Sequence, residues 1–240
     1  MKVLIIGAGG IGAALGEALL GRYPSVELIV TSRTALPASL LTFSDRATFY
    51  PLDSTDESQV KQLSETFDDV DWLINSTGML CGDSLGQRMP EKSLNQIEEE
   101  FFLQNIRVNT LPTLWLAKHF ALNLRSDRSR IFATLSARVG SIADNRLGGW
   151  HSYRVSKSAL NMALKNIANE WRISLPNVCV AALHPGTVDT NLSKPFQKNV
   201  KPEKLFSREL AANQLLDVFQ TLTPSNTGKF WAWDGTEIPW

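Results

Sequence analysis

Cysteine is nearly absent from the 240-residue chain: there are two, Cys81 and Cys179, about a hundred residues apart. Neither has a neighbour at metal-ligand spacing, which argues against a zinc site and, in a reducing compartment, against a disulfide. Excess charge of one sign is also missing, because 24 Lys and Arg balance 24 Asp and Glu. That balance provides neither a basic field for nucleic acid nor an acidic tail. No apolar run is long enough to span a bilayer, and the first strand pattern starts at residue 2, leaving no room for a leader. The expectation is a cytoplasmic protein without nucleic-acid or membrane partners. There is also no Gly-, Ser- or Pro-rich linker and no internal repeat, so residues 1–240 read as one domain.

What is present is alternation. Strand-like apolar runs at 2–6, 26–31, 47–52, 70–75, 129–135, 177–183 and 228–232 are separated by helical patterns. The helices are expected near 10–22, 56–67, 94–124, 152–174 and 207–222. This order predicts an α/β fold, a Rossmann-like doubly wound parallel sheet of about seven strands with helices on both faces.

The first strand, Lys2-Val3-Leu4-Ile5-Ile6, runs into Gly7-Ala8-Gly9-Gly10-Ile11-Gly12 and then a helix. That context is what a dinucleotide fingerprint requires. Gly7, Gly9 and Gly12 supply a tight turn, close approach of backbone to a pyrophosphate and close helix packing, while the helix start at Gly10 and Ile11 offers N–H groups to phosphate. Strand two ends at Ser32-Arg33. An acid there would accept from the ribose 2′-hydroxyl, whereas Arg33 with Ser32 suits a 2′-phosphate, so NADP(H) is favoured over NAD(H). Asp53 could accept from the adenine amino group, or cap the following helix with Ser54 or Thr55. Far along the chain, Tyr153 and Lys157 stand four apart, on one face of a helix. A neighbouring ammonium would favour the phenolate and bring the phenol's proton into use.

With these residues in place the sequence resembles the short-chain dehydrogenase/reductase family over essentially its whole length. Asn75-Ser76-Thr77-Gly78 resembles the family's Asn-Asn-Ala-Gly segment, and Pro185-Gly186-Thr187-Val188-Asp189-Thr190 its Pro-Gly-x-Val-x-Thr turn against the nicotinamide. The resemblance implies cofactor contacts from Asn75, Gly78, Tyr153, Lys157, Pro185, Gly186, Val188 and Thr190. It implies catalysis by Tyr153 as proton donor, Lys157 holding the nicotinamide ribose and lowering the Tyr153 pKa, Asn109 holding a water beside Lys157, and a serine polarising a substrate carbonyl. Two departures stand out. Ile6 replaces the family's Thr before a shorter glycine run, and alignment on Gly140 puts Ala137 where the serine belongs. Ser136 is expected to serve, with Ser141 as substitute.

The approach Gly148-Gly149-Trp150 to Tyr153 is similar to sniffer-type carbonyl reductases and C-signal proteins, implying a ketone, aldehyde or quinone substrate. Substrate-side loops are expected near 79–95, with Cys81, Gly82, Gly86 and Pro90, and near 191–202, with Phe196. Trp150 either floors a pocket or packs, and His151 reads as a loop histidine. The alternative is an NADP-binding regulator acting through a partner surface. Leu111, Leu114, Trp115, Phe120, Leu160, Met162, Leu164, Ile167 and Trp171 suggest a homodimer, with a tetramer second. The aromatic tail from Trp231 to Trp240 is expected to close the sheet edge or the site.

Overall fold

The computed structural model describes residues 1–35, 37–43, 45–82 and 88–240. In chain order the main elements are β1 (Lys2–Ile6), α1 (Gly10–Arg22), β2 (Glu27–Ser32), β3 (Ala47–Pro51), α2 (Glu57–Ser64), β4 (Trp72–Asn75), α3 (Glu99–Asn109), α4 (Leu111–Phe120) and β5 (Arg130–Leu135). There follow α5 (His151–Ser174), β6 (Val178–His184), β7 (Thr187–Val188), β8 (Leu205–Phe206), α6 (Arg208–Thr221) and β9 (Lys229–Ala232).

Seven strands form one parallel sheet in the order β3-β2-β1-β4-β5-β6-β9, the α/β architecture expected from the alternation. Winding proceeds one way from β1 through β2 to β3 and the other way from β4 outwards. The carboxyl ends of β1 and β4 therefore flank the crevice where such sheets bind ligands. The central strands are buried on both faces, which is why they read as unbroken apolar runs. Alternation still sorts them: Val3 and Ile5 pack with Leu15, Leu19, Leu215 and Phe219 of α1 and α6. Leu4 and Ile6 pack with Val60, Phe120, Leu160, Leu164 and Trp171 of α2, α4 and α5. α1 and α5 thus lie on opposite faces of the sheet.

The expected helix at 94–124 is not continuous. A 3₁₀ turn at Leu94–Gln96 precedes α3, and Thr110 (φ −114°, ψ −52°) divides α3 from α4. Pro112 in the first turn of α4 has no N–H to continue the ladder, so a new helix starts there. The expected α2 shortens to Glu57–Ser64: Asp56 caps its start, accepting from the backbone N–H groups of Ser58 and Gln59, and Glu65 caps its end. Phe120, Leu160, Leu164, Ile167 and Trp171 belong to the core, whereas Met162 stays 60% exposed. The tail turns back along β9, with Ile238 N–H donating to the Phe230 carbonyl and Trp240 stacking on Phe230. Among the described residues no helix is long and apolar enough to cross a membrane.

Candidate active site

Two cavities open along the carboxyl edge of the sheet, of about 590 and 720 Å³, and both are lined by Ser76, Thr77 and Gly78. The smaller holds Gly7, Gly9, Ser32, Arg33 and Asp53; the larger holds Ile11, Ser136, Tyr153, Lys157, Pro185, Gly186, Val188 and Thr190. Residues expected to hold a dinucleotide are thus spread along one cleft with Ser76–Gly78 at its waist.

The glycine loop is shaped by contacts no side chain would tolerate. Gly7 has φ +89°, and a Cβ at Gly12 would lie 2.1 Å from the Gly7 carbonyl oxygen. A Cβ at Gly10 would meet Thr190 at 2.7 Å, so that glycine brings the turn after β6 against α1. Gly9 is different: nothing lies within 4 Å of its Cβ position, and no side chain caps α1 there. Open space over a helix start with its N–H groups unanswered by a side chain fits a pyrophosphate. The residues present therefore fit a dinucleotide.

In the smaller cavity, the Ser32 hydroxyl donates to the Ala35 carbonyl at 2.8 Å, folding the loop beside Arg33. Asp53 does not cap α2. Its Oδ1 accepts from Thr55 N–H and hydroxyl at 3.0 and 2.8 Å, a local turn that leaves the residue on the cavity wall. Asn75 lines neither cavity; it accepts from Thr77 N–H and donates to Thr113, so it shapes the strand end that places Ser76 to Gly78. Gly86 lies outside the described residues.

Tyr153 and Lys157 come together on α5, both in the cavity wall and only 6% and 3% exposed. Lys157 Nζ donates to the Leu135 carbonyl at 3.1 Å and lies 5.9 Å from the Tyr153 ring centroid. The expected acidification of the phenol is not found: burial raises the Tyr153 pKa and lowers that of Lys157 to about 8. Removing both groups from water disfavours both charged forms, and that outweighs the attraction of an ammonium turned to a carbonyl. The phenol consequently keeps its proton at neutral pH, which suits a proton donor.

Ser136 lines the cavity, while Ser141 is absent from its wall and hydrogen-bonds to the Pro239 carbonyl. Ser136 is 5% exposed and its hydroxyl donates to Asn161 Oδ1 at 2.6 Å. Asn161, missed in the sequence, is one turn beyond Lys157 on the face shared with Tyr153, a spacing that could have found it. Asn109 is held by several hydrogen bonds. Its amide accepts from Met79 N–H at 2.8 Å and donates to the Met79 carbonyl, Asn105 and Ser156. With those bonds made, the side chain clamps the start of the 79–95 loop, and its Oδ1 borders Gly78 together with Lys157 Nζ.

Trp150 adopts a left-handed conformation, φ 51°, and its ring centroid lies 6.3 Å from that of Tyr153 and 4.8 Å from that of Phe196. The expected loop at 191–202 thus contributes Phe196 to an aromatic wall whose other member, Trp150, stands at the start of α5. Glu91, also missed, is 2% exposed; its carboxylate accepts from Ser152 N–H and hydroxyl, and its carbonyl accepts from Trp150 N–H. It caps α5 from outside the helix, where Trp150 provides no side-chain cap. No local sequence pattern announces that pairing across sixty-one positions.

Comparison with known proteins agrees with this layout. The family described as short chain dehydrogenase matches residues 1–201. C-signal of Myxococcus xanthus is 29% identical over 71% of this chain and 93% of its own. The carbonyl reductase Sniffer of Drosophila melanogaster has a similar fold, with a TM-score of 0.85, 21% identity and coverage of 100% of this chain and 99% of its own. An NADPH-bound carbonyl reductase from chicken fatty liver superposes with a TM-score of 0.85 at 23% identity, covering 100% and 98%. The chain belongs to the short-chain dehydrogenase/reductase family of NAD(P)-dependent oxidoreductases.

Proposed function

We propose that the protein is an NADPH-dependent reductase of a small carbonyl compound, a ketone, aldehyde or quinone, with Tyr153 as proton donor. The observation that carries this reading is the buried Tyr153–Lys157 pair in the wall of a cavity that Ile11 of the glycine turn also lines. NADPH supplies the hydride when bound. Tyr153, held neutral by burial, gives its proton to the oxygen that gains charge. Lys157 orients the nicotinamide ribose, and the Ser136 hydroxyl turns from Asn161 to the substrate oxygen. Asn75 and Asn109 act from behind, holding Thr77 and Met79 in place.

Preference for NADP(H) over NAD(H) rests on Arg33 and Ser32 in the adenosine cavity and on the NADPH carried by the chicken reductase. Asp53 lies on the same wall to receive the adenine amino group. The proposal includes one domain over residues 1–240, a cytoplasmic location and a homodimer, a tetramer second, formed through α4 and α5, where Leu114 and Met162 remain exposed. A monomeric mass in light scattering would contradict the oligomer.

A second reading, an NADP-binding regulator, is favoured by one observation: the Ser136 hydroxyl is engaged by Asn161 and Ala137 follows it. The test is NADPH oxidation across dicarbonyls, quinones and aldehydes. Turnover with any class supports the reductase; tight NADPH binding without turnover on all of them supports the regulator.

A further inference from the structure

The larger cavity carries more positive charge than carbonyl reduction uses. Its charged lining is Arg138, Arg146, Arg154 and Lys157 against one carboxylate, Asp144. Asp144 is paired with Arg138 at 2.8 Å, so those two add no net charge. Lys157 is turned to the Leu135 carbonyl beside the cofactor site. Arg146 and Arg154 remain, and their hydrogen bonds run to main-chain oxygens. Arg146 donates to the carbonyls of Ala143 and Asn145, and Arg154 to those of Gly148, Gly149 and Val139. Carbonyl oxygens orient a guanidinium and leave its charge in place. Among the described residues no carboxylate forms an ion pair with either arginine.

Arg154 is half-buried, and burial draws its pKa down. A cation placed so, without a counter-charge, loses solvation that an anionic ligand restores. The cofactor's phosphates are not that ligand. The open, uncapped start of α1 over Gly9 is the place for them, whereas Arg146 stands in the loop before α5 and Arg154 on α5 itself. His184, in the same wall, is held neutral at about 4 by burial and then by the charge of Arg138, so the histidine adds no cation of its own. The same cavity also has an apolar lining, with Val139, Leu147, Trp150 and Phe196.

Resting on the carbonyl-reductase reading, we infer that the substrate is an oxo acid, an aryl or alkyl carbonyl compound whose carboxylate is held by Arg146 and Arg154 while its carbonyl oxygen faces Tyr153. The two guanidinium groups would select the substrate by charge, and the aromatic pair Trp150–Phe196 would cover its apolar body.

The experiment compares 4-formylbenzoate with its methyl ester as substrates of the NADPH-loaded protein. Independently of turnover, calorimetry compares 4-(hydroxymethyl)benzoate with its methyl ester on the NADP⁺-loaded protein. The acid is expected to exceed the ester about tenfold in kcat/KM and in affinity, and Arg146→Gln or Arg154→Gln should reduce that ratio about fivefold. Arg146 is exposed, so its variant tests charge even if Arg154→Gln disturbs the Gly148–Gly149 turn. A ratio of one or less in both measurements overturns the inference, as does a ratio that neither substitution changes. Tighter binding of the acid with no turnover of either aldehyde, or of any dicarbonyl, quinone or aldehyde in the panel above, keeps the anion site and removes the reductase reading.

Discussion

The cofactor end and the substrate end of the cleft are held together in different ways. At the cofactor end, a few consecutive residues settle the geometry: Gly7 takes φ +89°, Gly12 presses on the Gly7 carbonyl, and α1 begins at once. At the substrate end, shape depends on long-range side-chain bonds. Glu91 caps α5, Asn109 clamps Met79, Asn161 receives Ser136, and Trp150 meets Phe196. One end is local and unforgiving of any added atom, whereas the other is assembled from distant pieces, each removable on its own.

The comparison can be broken most sharply at Gly12. Its Cβ position overlaps backbone, which cannot step aside, so Gly12→Val should weaken NADPH binding on the order of 100-fold, measured by fluorescence titration. Glu91→Ala should leave NADPH affinity near the parent value but lower kcat about tenfold. It should also destabilise by about 1–3 kcal/mol through the orphaned donors at Ser152, read by denaturant unfolding and steady-state rates. A smaller effect is expected for Arg33→Ala, a loss of about fivefold in the preference for NADPH over NADH from paired titrations.

The smallest effect is a pH dependence of stability in the cofactor-free protein. Lys157 titrates at about 8 in the folded state and near 10.4 unfolded, so between those values the unfolded chain binds more protons and stability rises with pH. Tyr153 is shifted the other way, so above about pH 10 the unfolded chain loses a proton that the fold retains, and stability falls. Melting temperatures from pH 7 to 11 should show a maximum near 10, and Lys157→Met should flatten the rising limb.

The same contrast explains what could be seen in the sequence. Strand runs, the glycine turn and the Tyr153–Lys157 spacing are local patterns, and the strand runs appear as the seven-stranded parallel sheet they imply. The break at Thr110 was hidden because an apolar helical pattern runs through Pro112, although that proline carried the signal. Glu91 was invisible, since nothing in a loop glutamate tells which distant helix it caps. The sign of the Tyr153 shift was misjudged because adjacency in a helix is legible and desolvation is not; burial emerges only when β5, α5 and the loops close around the pair.

The central claim is that a buried, neutral Tyr153 delivers the proton in carbonyl reduction. Tyr153→Phe removes one hydroxyl and keeps the ring against Trp150. With a substrate the parent protein reduces, this variant should lose about 100-fold or more in kcat while its NADPH dissociation constant stays within about twofold. Parent-level turnover in Tyr153→Phe would contradict the account.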